Sequence, residues 1–212
     1  MTVEVKICGI TSTDAVSAAV TAGARYGGLV FHPASPRAVT LDQAVVLASH
    51  MRGSVKTVAL VADANDMFLT VMTGLVRPDF LQLHGSETPA RAADIRQRFR
   101  IPVIKALPVA DAADFDVVAD YQDGADMLLF DAKPPKDAAR GGGHGLAFDW
   151  TLLNGRNFTK PWFLAGGLNT DNVARAIAAS GARRVDVSSG VESAPGIKDA
   201  GLITHFIKAA IA

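Results

Sequence analysis

The stretch that decides the fold is VEVKICGIT, residues 3–11. Apolar and polar residues alternate in it with a period of two, which predicts a strand with two different faces. Lys6 and Cys8 share one face of that strand. Gly9 ends it, and the polar residues 11–14 can cap a following helix. The stretch therefore predicts a strand–helix unit that carries the only cysteine of the chain at the C-terminal end of the strand.

The same unit recurs along the chain. Predicted strands begin near residues 3, 27, 55, 79, 102, 126, 161 and 184, with helices over 41–50, 65–74, 86–99, 112–121, 171–180 and 201–210 and a short one opening at 148–150. This repetition predicts the α/β class, with a parallel sheet closed into one (β/α)8 barrel domain spanning residues 1–212. The alternative is an open doubly wound sheet, which would usually carry a glycine-rich dinucleotide turn after its first strand.

Composition excludes several classes of partner. The 212 residues are 49% hydrophobic and 20% charged, and the formal net charge is +0. Without a run of like charges, we expect no nucleic-acid or membrane partner. One cysteine excludes an intrachain disulfide framework and a cysteine-rich metal site. We expect a cytoplasmic protein without a signal peptide or membrane span, and either a monomer or a homodimer.

Polar side chains gather at one end of the predicted barrel. Active sites of such barrels lie at the C-terminal ends of the strands, where alternate residues face inward. A lone cysteine is more often a small buried hydrophobe. The polar side chains together could also fill the mouth of the barrel and satisfy one another without a function. So many ionisable groups in one place nevertheless favour a functional site. The residues that strand parity selects are Lys6, Cys8, Gln82, His84, Lys105, Asp131, Asp186 and Ser188.

Small, glycine-rich turns follow the last three strands, at 141–145, 166–167 and 189–190. Glycine lets backbone amides approach a ligand closely, and the loops after strands seven and eight of (β/α)8 barrels often hold phosphate. Arg37, after strand two, can pair bidentately with a carboxylate. The predicted ligand is therefore a small molecule with a phosphate at one end and a carboxylate at the other.

These residues resemble the phosphoribosylanthranilate isomerase family of tryptophan biosynthesis. The resemblance covers essentially the whole chain, in the order of the family's motifs. The matching segments are KICGIT (6–11), phenylalanine 31 through SPR (35–37), LQLHG (81–85), LFD (129–131), FDW (148–150), LAGGL (164–168) and VDVSSGVE (185–192).

The resemblance implies an Amadori rearrangement of N-(5'-phosphoribosyl)anthranilate without metal or cofactor. Asp131 would be the general acid that opens the furanose ring, and Cys8 the general base that removes the C2 proton. A basic thiol requires a lowered pKa, for which Lys6 is the candidate cause. The substrate-binding residues would be Lys6, Arg37, His84 and Asp186. The phosphate would be bound by Gly142, Gly143, Gly166, Gly167, Ser188, Ser189 and Gly190.

Other interpretations remain at this stage. His144 stands where the resemblance leads us to expect Thr or Ser, and we interpret it as a tolerated variant. A related isomerase of a ribosyl-aminoimidazole substrate would usually carry Asp in place of Cys8. A metal-dependent epimerase would need several His and carboxylate ligands at the mouth, where parity places only His84. A non-catalytic barrel that binds a phosphorylated ligand would be indifferent to Cys8→Ser and Asp131→Asn.

Overall fold

The computed structural model describes residues 2–133 and 147–212. Eight parallel strands close into a barrel in sequence order, so the predicted α/β barrel is confirmed. Each strand begins within one residue of its predicted start. Gly142, Gly143 and His144 lie outside the described residues. The strands are β1 (Glu4–Cys8), β2 (Tyr26–Val30), β3 (Lys56–Val61), β4 (Phe80–Leu83), β5 (Val103–Val109), β6 (Met127–Ala132), β7 (Trp162–Leu164) and β8 (Arg184–Val187).

Six α-helices cover the barrel in the described ranges. Most begin at a side chain that accepts a hydrogen bond from a free first-turn amide, such as Ser12, Thr40 and Asn65. The helix predicted from residue 86 begins only at Pro89, because Thr88 caps it and proline suits the first turn. The helices are α1 (Thr13–Ala22), α2 (Leu41–Met51), α3 (Asp66–Val76), α4 (Pro89–Phe99), α5 (Val173–Ser180) and α6 (Ala200–Ile211).

Two predicted helices are 3-10 helices instead. They cover Ala112–Tyr121 and Trp150–Leu153. The first is rich in aspartate and valine, which have low helix propensity, and it buries only Phe115. With so little packing to stabilise an α-helix, the segment adopts the tighter form that is common in short connectors.

The segment after β8 holds a hairpin that the sequence did not predict. A 3-10 turn, Ser189–Val191, leads into the antiparallel strands β9 (Glu192–Ala194) and β10 (Ile197–Lys198). The hairpin turns at Gly196, whose φ of 84° favours glycine. A Cβ at Gly196 would lie 2.4 Å from the carbonyl oxygen of Pro36. The hairpin therefore packs directly against the loop after β2.

The barrel has two apolar layers. Tyr26, Val58, Ile104, Leu129 and Phe163 form part of one buried cluster, drawn from alternate positions of five strands. The intervening residues belong to the larger cluster that includes the buried faces of the helices. Because alternate residues of a strand point to opposite faces, the first cluster fills the barrel and the second lies between barrel and helices. No helix in the described ranges is long and apolar enough to cross a membrane.

Candidate active site

Cys8 ends β1 beside a buried ion pair. Strands β1 and β8 pair in a register that sets Lys6 opposite Asp186. The Lys6 Nζ donates a hydrogen bond to Asp186 Oδ1 over 2.9 Å, and Lys6 is 0% exposed. Removing either partner would leave an uncompensated buried charge, so the pair is held firmly. The structure brings Lys6, Cys8 and Asp186 together, as strand parity predicts.

Gly28 leaves room for these side chains. It lies next to Cys8 in the register of β1 and β2. A Cβ at Gly28 would be 3.0 Å from Cys8 Sγ and 3.3 Å from Lys6 Nζ. Contacts this short would require the thiol or the ammonium group to shift by a few tenths of an ångström. The glycine is therefore part of how the sequence shapes the site.

The Cys8 thiol is shielded from solvent, and burial raises its pKa above the ordinary value. The charges of Lys6 and Lys198 lower that pKa, while the Asp186 carboxylate raises it further. Burial outweighs the two cations, because a thiolate loses much of its hydration in this environment. The sequence predicted the direction in which Lys6 acts, but the net shift of the pKa is upward.

Lys6→Met is expected to raise the pKa of Cys8 further. The substitution removes the larger of the two cationic effects and leaves the Asp186 carboxylate without its partner. Thiolate absorbance in the ultraviolet, followed against pH, measures the shift. The signal has one thiol source because Cys8 is the only cysteine. Lys208→Met, on the exposed side of α6, is the control that should leave the curve unchanged. A downward or absent shift in the folded Lys6 variant would contradict the argument.

Asp131, at the end of β6, lies close to the hydrogen-bonded side chains of Gln82 and His84 on the β4 side of the barrel. The Gln82 Nε2 lies 2.8 Å from His84 Nδ1, and His84 Nε2 lies 3.3 Å from Asp131 Oδ2. Since an amide nitrogen only donates, Nδ1 accepts and Nε2 carries the imidazole proton. The other carboxylate oxygen, Oδ1, accepts from the backbone N–H of Ala132 over 2.9 Å. The side chains of His84 and Asp131 are each mostly buried, and they lie next to one another.

Arg37 is engaged by a carboxylate of the chain itself. Its Nε and Nη2 donate to the two oxygens of Glu192 over 2.7 and 2.8 Å. The Lys198 Nζ also donates to Glu192 Oε1, over 2.6 Å. Both cations hold the pKa of Glu192 below its ordinary value despite burial, whereas burial lowers the pKa of Lys198. The three side chains form a buried cluster that joins the loop after β2 to the hairpin after β8.

The turns after β7 and β8 pack against one another. Gly166 and Gly167 have φ of 83° and 65°, and a Cβ at Gly166 would lie 2.6 Å from the Ala132 nitrogen. A Cβ at Gly190 would lie 2.0 Å from the Leu168 carbonyl oxygen. Neither the Gly166 nor the Gly167 amide donates to an acceptor in the described part of the chain. These amides are thus available to an anion.

Ser188 and Ser189 continue from β8 towards the same turns. The Ser188 hydroxyl donates to the Cys8 carbonyl oxygen over 3.1 Å, and its own carbonyl accepts from Lys198 Nζ over 2.9 Å. Ser189 begins the 3-10 turn that precedes the hairpin. Ser188 therefore links the end of β8 to Cys8, which is a structural role besides the phosphate contact predicted for it.

Comparison with known proteins identifies the family. The family model described as N-(5'phosphoribosyl)anthranilate (PRA) isomerase matches residues 5–209. An N-(5'-phosphoribosyl)anthranilate isomerase from Paramagnetospirillum magneticum is 55% identical over 210 residues, covering 99% of this chain and 98% of its own. The chain belongs to the phosphoribosylanthranilate isomerase family. The resemblance seen in the sequence is therefore confirmed.

Solved structures of phosphoribosylanthranilate isomerases agree with this assignment. The Thermotoga maritima protein superposes with a TM-score of 0.88 at 35% identity, covering 98% of each chain. Another superposes with a TM-score of 0.85 at 33% identity, again covering 98% of each. That protein was solved in complex with reduced 1-(o-carboxyphenylamino)-1-deoxyribulose 5-phosphate. A phosphorylated, carboxylate-bearing ligand is thus bound by a structural relative.

Lys105 does not belong to the site of this family member, so that prediction was wrong. Its neighbours Ile104 and Ala106 belong to the cluster inside the barrel, which places Lys105 on the outer face of β5. There its Nζ donates to Glu87 Oε2 over 2.7 Å and to the Gly85 carbonyl oxygen over 2.8 Å. The strand reads VIKALPV, with no apolar–polar alternation from which its parity could be read.

Lys105→Met is expected to lower the free energy of unfolding by about 3–5 kcal/mol, because it leaves the buried Glu87 carboxylate without its cationic partner. Both side chains of the pair are 2% exposed. The matched control is Lys56→Met, since Lys56 and Asp79 form a pair whose side chains are 49% and 38% exposed. That change should cost about 0–1 kcal/mol. Denaturant unfolding measures both, and equal losses would refute the distinction.

The sequence missed two functional candidates, Glu192 and Lys198. Glu192 lies within a segment that resembles the family, but nothing in its surroundings pointed to Arg37. The two residues are 155 positions apart, and only the hairpin brings them together. Nothing in the sequence marked Lys198 as a site residue, because a lysine in a polar segment is usually exposed to solvent. Its side chain is in fact 0% exposed.

Proposed function

We propose that this protein catalyses the rearrangement of N-(5'-phosphoribosyl)anthranilate to 1-(2-carboxyphenylamino)-1-deoxyribulose 5-phosphate, using Cys8 and Asp131 and no cofactor. The observation that carries the proposal is the family match across nearly the whole chain. The barrel supports it, since Cys8 and Asp131 both end parallel strands and so lie at the same end of the barrel. A thiol and a carboxyl group at one mouth suit an isomerisation that is catalysed by proton transfer to and from the substrate.

In the proposed first step, the Asp131 carboxyl group protonates the furanose ring oxygen. The C1–O bond then breaks, and the anthranilate nitrogen lone pair forms the C1=N bond of a protonated Schiff base. Asp131 must hold a proton for this step, and the neighbouring His84 can accept a hydrogen bond from the protonated carboxyl group. When Asp131 Oδ2 is protonated, His84 Nε2 accepts, and the imidazole proton moves to Nδ1.

The Gln82 side chain suits that change of tautomer. Its Oε1 is buried and has no hydrogen-bond partner in the described residues, while its Nε2 faces His84. Rotation of the amide by half a turn would present Oε1 to a protonated Nδ1. We therefore assign His84 and Gln82 to the control of the Asp131 proton, and the direct substrate contact predicted for His84 stays a prediction.

In the proposed second step, the Cys8 thiolate removes the proton from C2. The electrons of the C2–H bond form C1=C2, and those of C1=N return to nitrogen, giving an enolamine. Protonation at C1 and loss of the C2 hydroxyl proton then give the ketone. Lys6 favours the thiolate, and Asp186 fixes the Lys6 ammonium beside it. Because burial raises the pKa of Cys8, turnover should increase with pH while the thiolate fraction grows.

The charged ends of the substrate would be bound at separate places. Arg37 is proposed to bind the anthranilate carboxylate from the loop after β2. Gly166, Gly167, Ser188, Ser189 and Gly190 are proposed to bind the phosphate, together with Gly142 and Gly143. The available amides of Gly166 and Gly167 support this division.

Complementation of a tryptophan auxotroph that lacks this isomerase tests the proposed function. The chain is expected to restore growth without tryptophan, and Cys8→Ala is expected to restore it poorly or not at all. Lys208→Met serves as the matched surface control. Failure of the wild-type chain, expressed and folded, would refute the proposed reaction. Growth of the Cys8 variant at the wild-type rate would remove Cys8 from the mechanism.

A further inference from the structure

The Arg37 guanidinium presents only one edge to a ligand. A guanidinium carries five N–H donors. Its Nε and Nη2 are bound to the two oxygens of Glu192, so the side-on edge is occupied. One N–H of Nη1 and the second N–H of Nη2 form the end-on edge, while the remaining N–H of Nη1 lies on the Cδ side of the guanidinium. A carboxylate that pairs bidentately with Arg37 therefore meets this end-on edge.

Glu192 also cancels the Arg37 charge. The two side chains are 6% and 4% exposed, so water screens neither of them effectively. A neutral pair would attract a carboxylate only weakly. Lys198 changes the balance, because its fully buried Nζ lies 2.6 Å from Glu192 Oε1. The cluster of two cations and one anion carries a net charge of one positive unit.

We propose that Lys198 is a specificity-determining residue. It supplies the net positive charge of the carboxylate site, while Glu192 fixes the edge of Arg37 that the carboxylate meets. The inference rests on the proposed function, in which Arg37 binds the anthranilate carboxylate. Lys198 is anchored for this task, since it also donates to the Ser188 carbonyl oxygen at the end of β8 over 2.9 Å.

The test compares two ligands that differ only in the carboxylate. One is reduced 1-(o-carboxyphenylamino)-1-deoxyribulose 5-phosphate, and the other is its phenylamino counterpart without the carboxylate. Binding of each is measured by calorimetry with the wild-type protein, Lys198→Met, Lys198→Gln and Lys198→Arg. Lys208→Met is the control for loss of a surface charge.

Lys198→Met and Lys198→Gln are expected to weaken binding of the carboxylated ligand by about tenfold or more, since a charge is lost in a poorly screened site. Binding of the phenylamino ligand should change by less than about twofold. Lys198→Arg, which keeps the charge, should retain most of the preference for the carboxylated ligand. The Lys198→Gln variant keeps a hydrogen-bond donor at this position. It therefore isolates the effect of the lost charge even if Lys198→Met destabilises the hairpin.

Equal weakening of both ligands in the folded variants would show that Lys198 has a purely structural role, and it would overturn the inference. Unchanged binding of both ligands would also overturn the inference. A different observation would refute the proposed function: the wild-type protein would not turn over N-(5'-phosphoribosyl)anthranilate.

Discussion

Cys8→Ala is expected to lower kcat by about 10³-fold, the range in which removal of a general base usually falls. The chemical reason is that abstraction of the C2 proton needs a basic atom at the end of β1, and alanine offers none. The Lys6–Asp186 ion pair next to it involves other atoms and should persist. Steady-state kinetics with N-(5'-phosphoribosyl)anthranilate measures the loss. Because the proton moves only in the transition state, binding of the reduced product analogue should change little.

Cys8→Ser is the second variant of this experiment. Serine is close to cysteine in shape, although its hydroxyl is smaller and more polar, and it is a far weaker acid, so little alkoxide is present at neutral pH. It should therefore be nearly as inactive as the alanine variant while binding the analogue like the wild-type protein. A serine variant with wild-type kcat would show that the side chain at position 8 fills space and does not accept a proton.

Asp131→Asn is expected to lower kcat by about 10²–10⁴-fold, because an amide cannot deliver the proton that opens the ring. Asparagine has nearly the same shape, and its Oδ1 can still accept from His84 Nε2 or from the Ala132 amide. The geometry of the site should therefore survive, which confines the effect to proton transfer. The same kinetic assay measures kcat, and analogue binding again reports on the integrity of the site.

Asp42→Asn is the matched control for this variant, since Asp42 is exposed in the first turn of α2. It should leave kcat unchanged. Residual activity of the Asp131 variant should no longer depend on the protonation state of position 131, so any limb of the pH–rate profile caused by that acid should disappear. A variant with wild-type kcat and an unchanged pH profile would assign ring opening to another group.

Much of the fold was predictable from the spacing of short patterns. Strands recur at near-constant intervals, and short connections between successive strands and helices leave few topologies other than a parallel barrel. Strand parity also placed Lys6 and Cys8 on the inner face of β1, because their neighbours are apolar. It failed for Lys105, since β5 carries apolar residues on both faces and a buried lysine on the outer one. The buried Glu87 that stabilises Lys105 comes from a loop, which strand patterns do not describe.

The sequence by itself determined which residue types end which strands, and through them the family and the mouth of the barrel. Only the tertiary structure decided how those groups interact. The register of β1 and β8 pairs Lys6 with Asp186, burial raises the pKa of Cys8, and the hairpin after β8 sets Glu192 and Lys198 against Arg37. The physical reason is that desolvation and pairing of charges depend on distances between segments far apart in the chain, whereas strand period and capping depend on neighbours within a few residues.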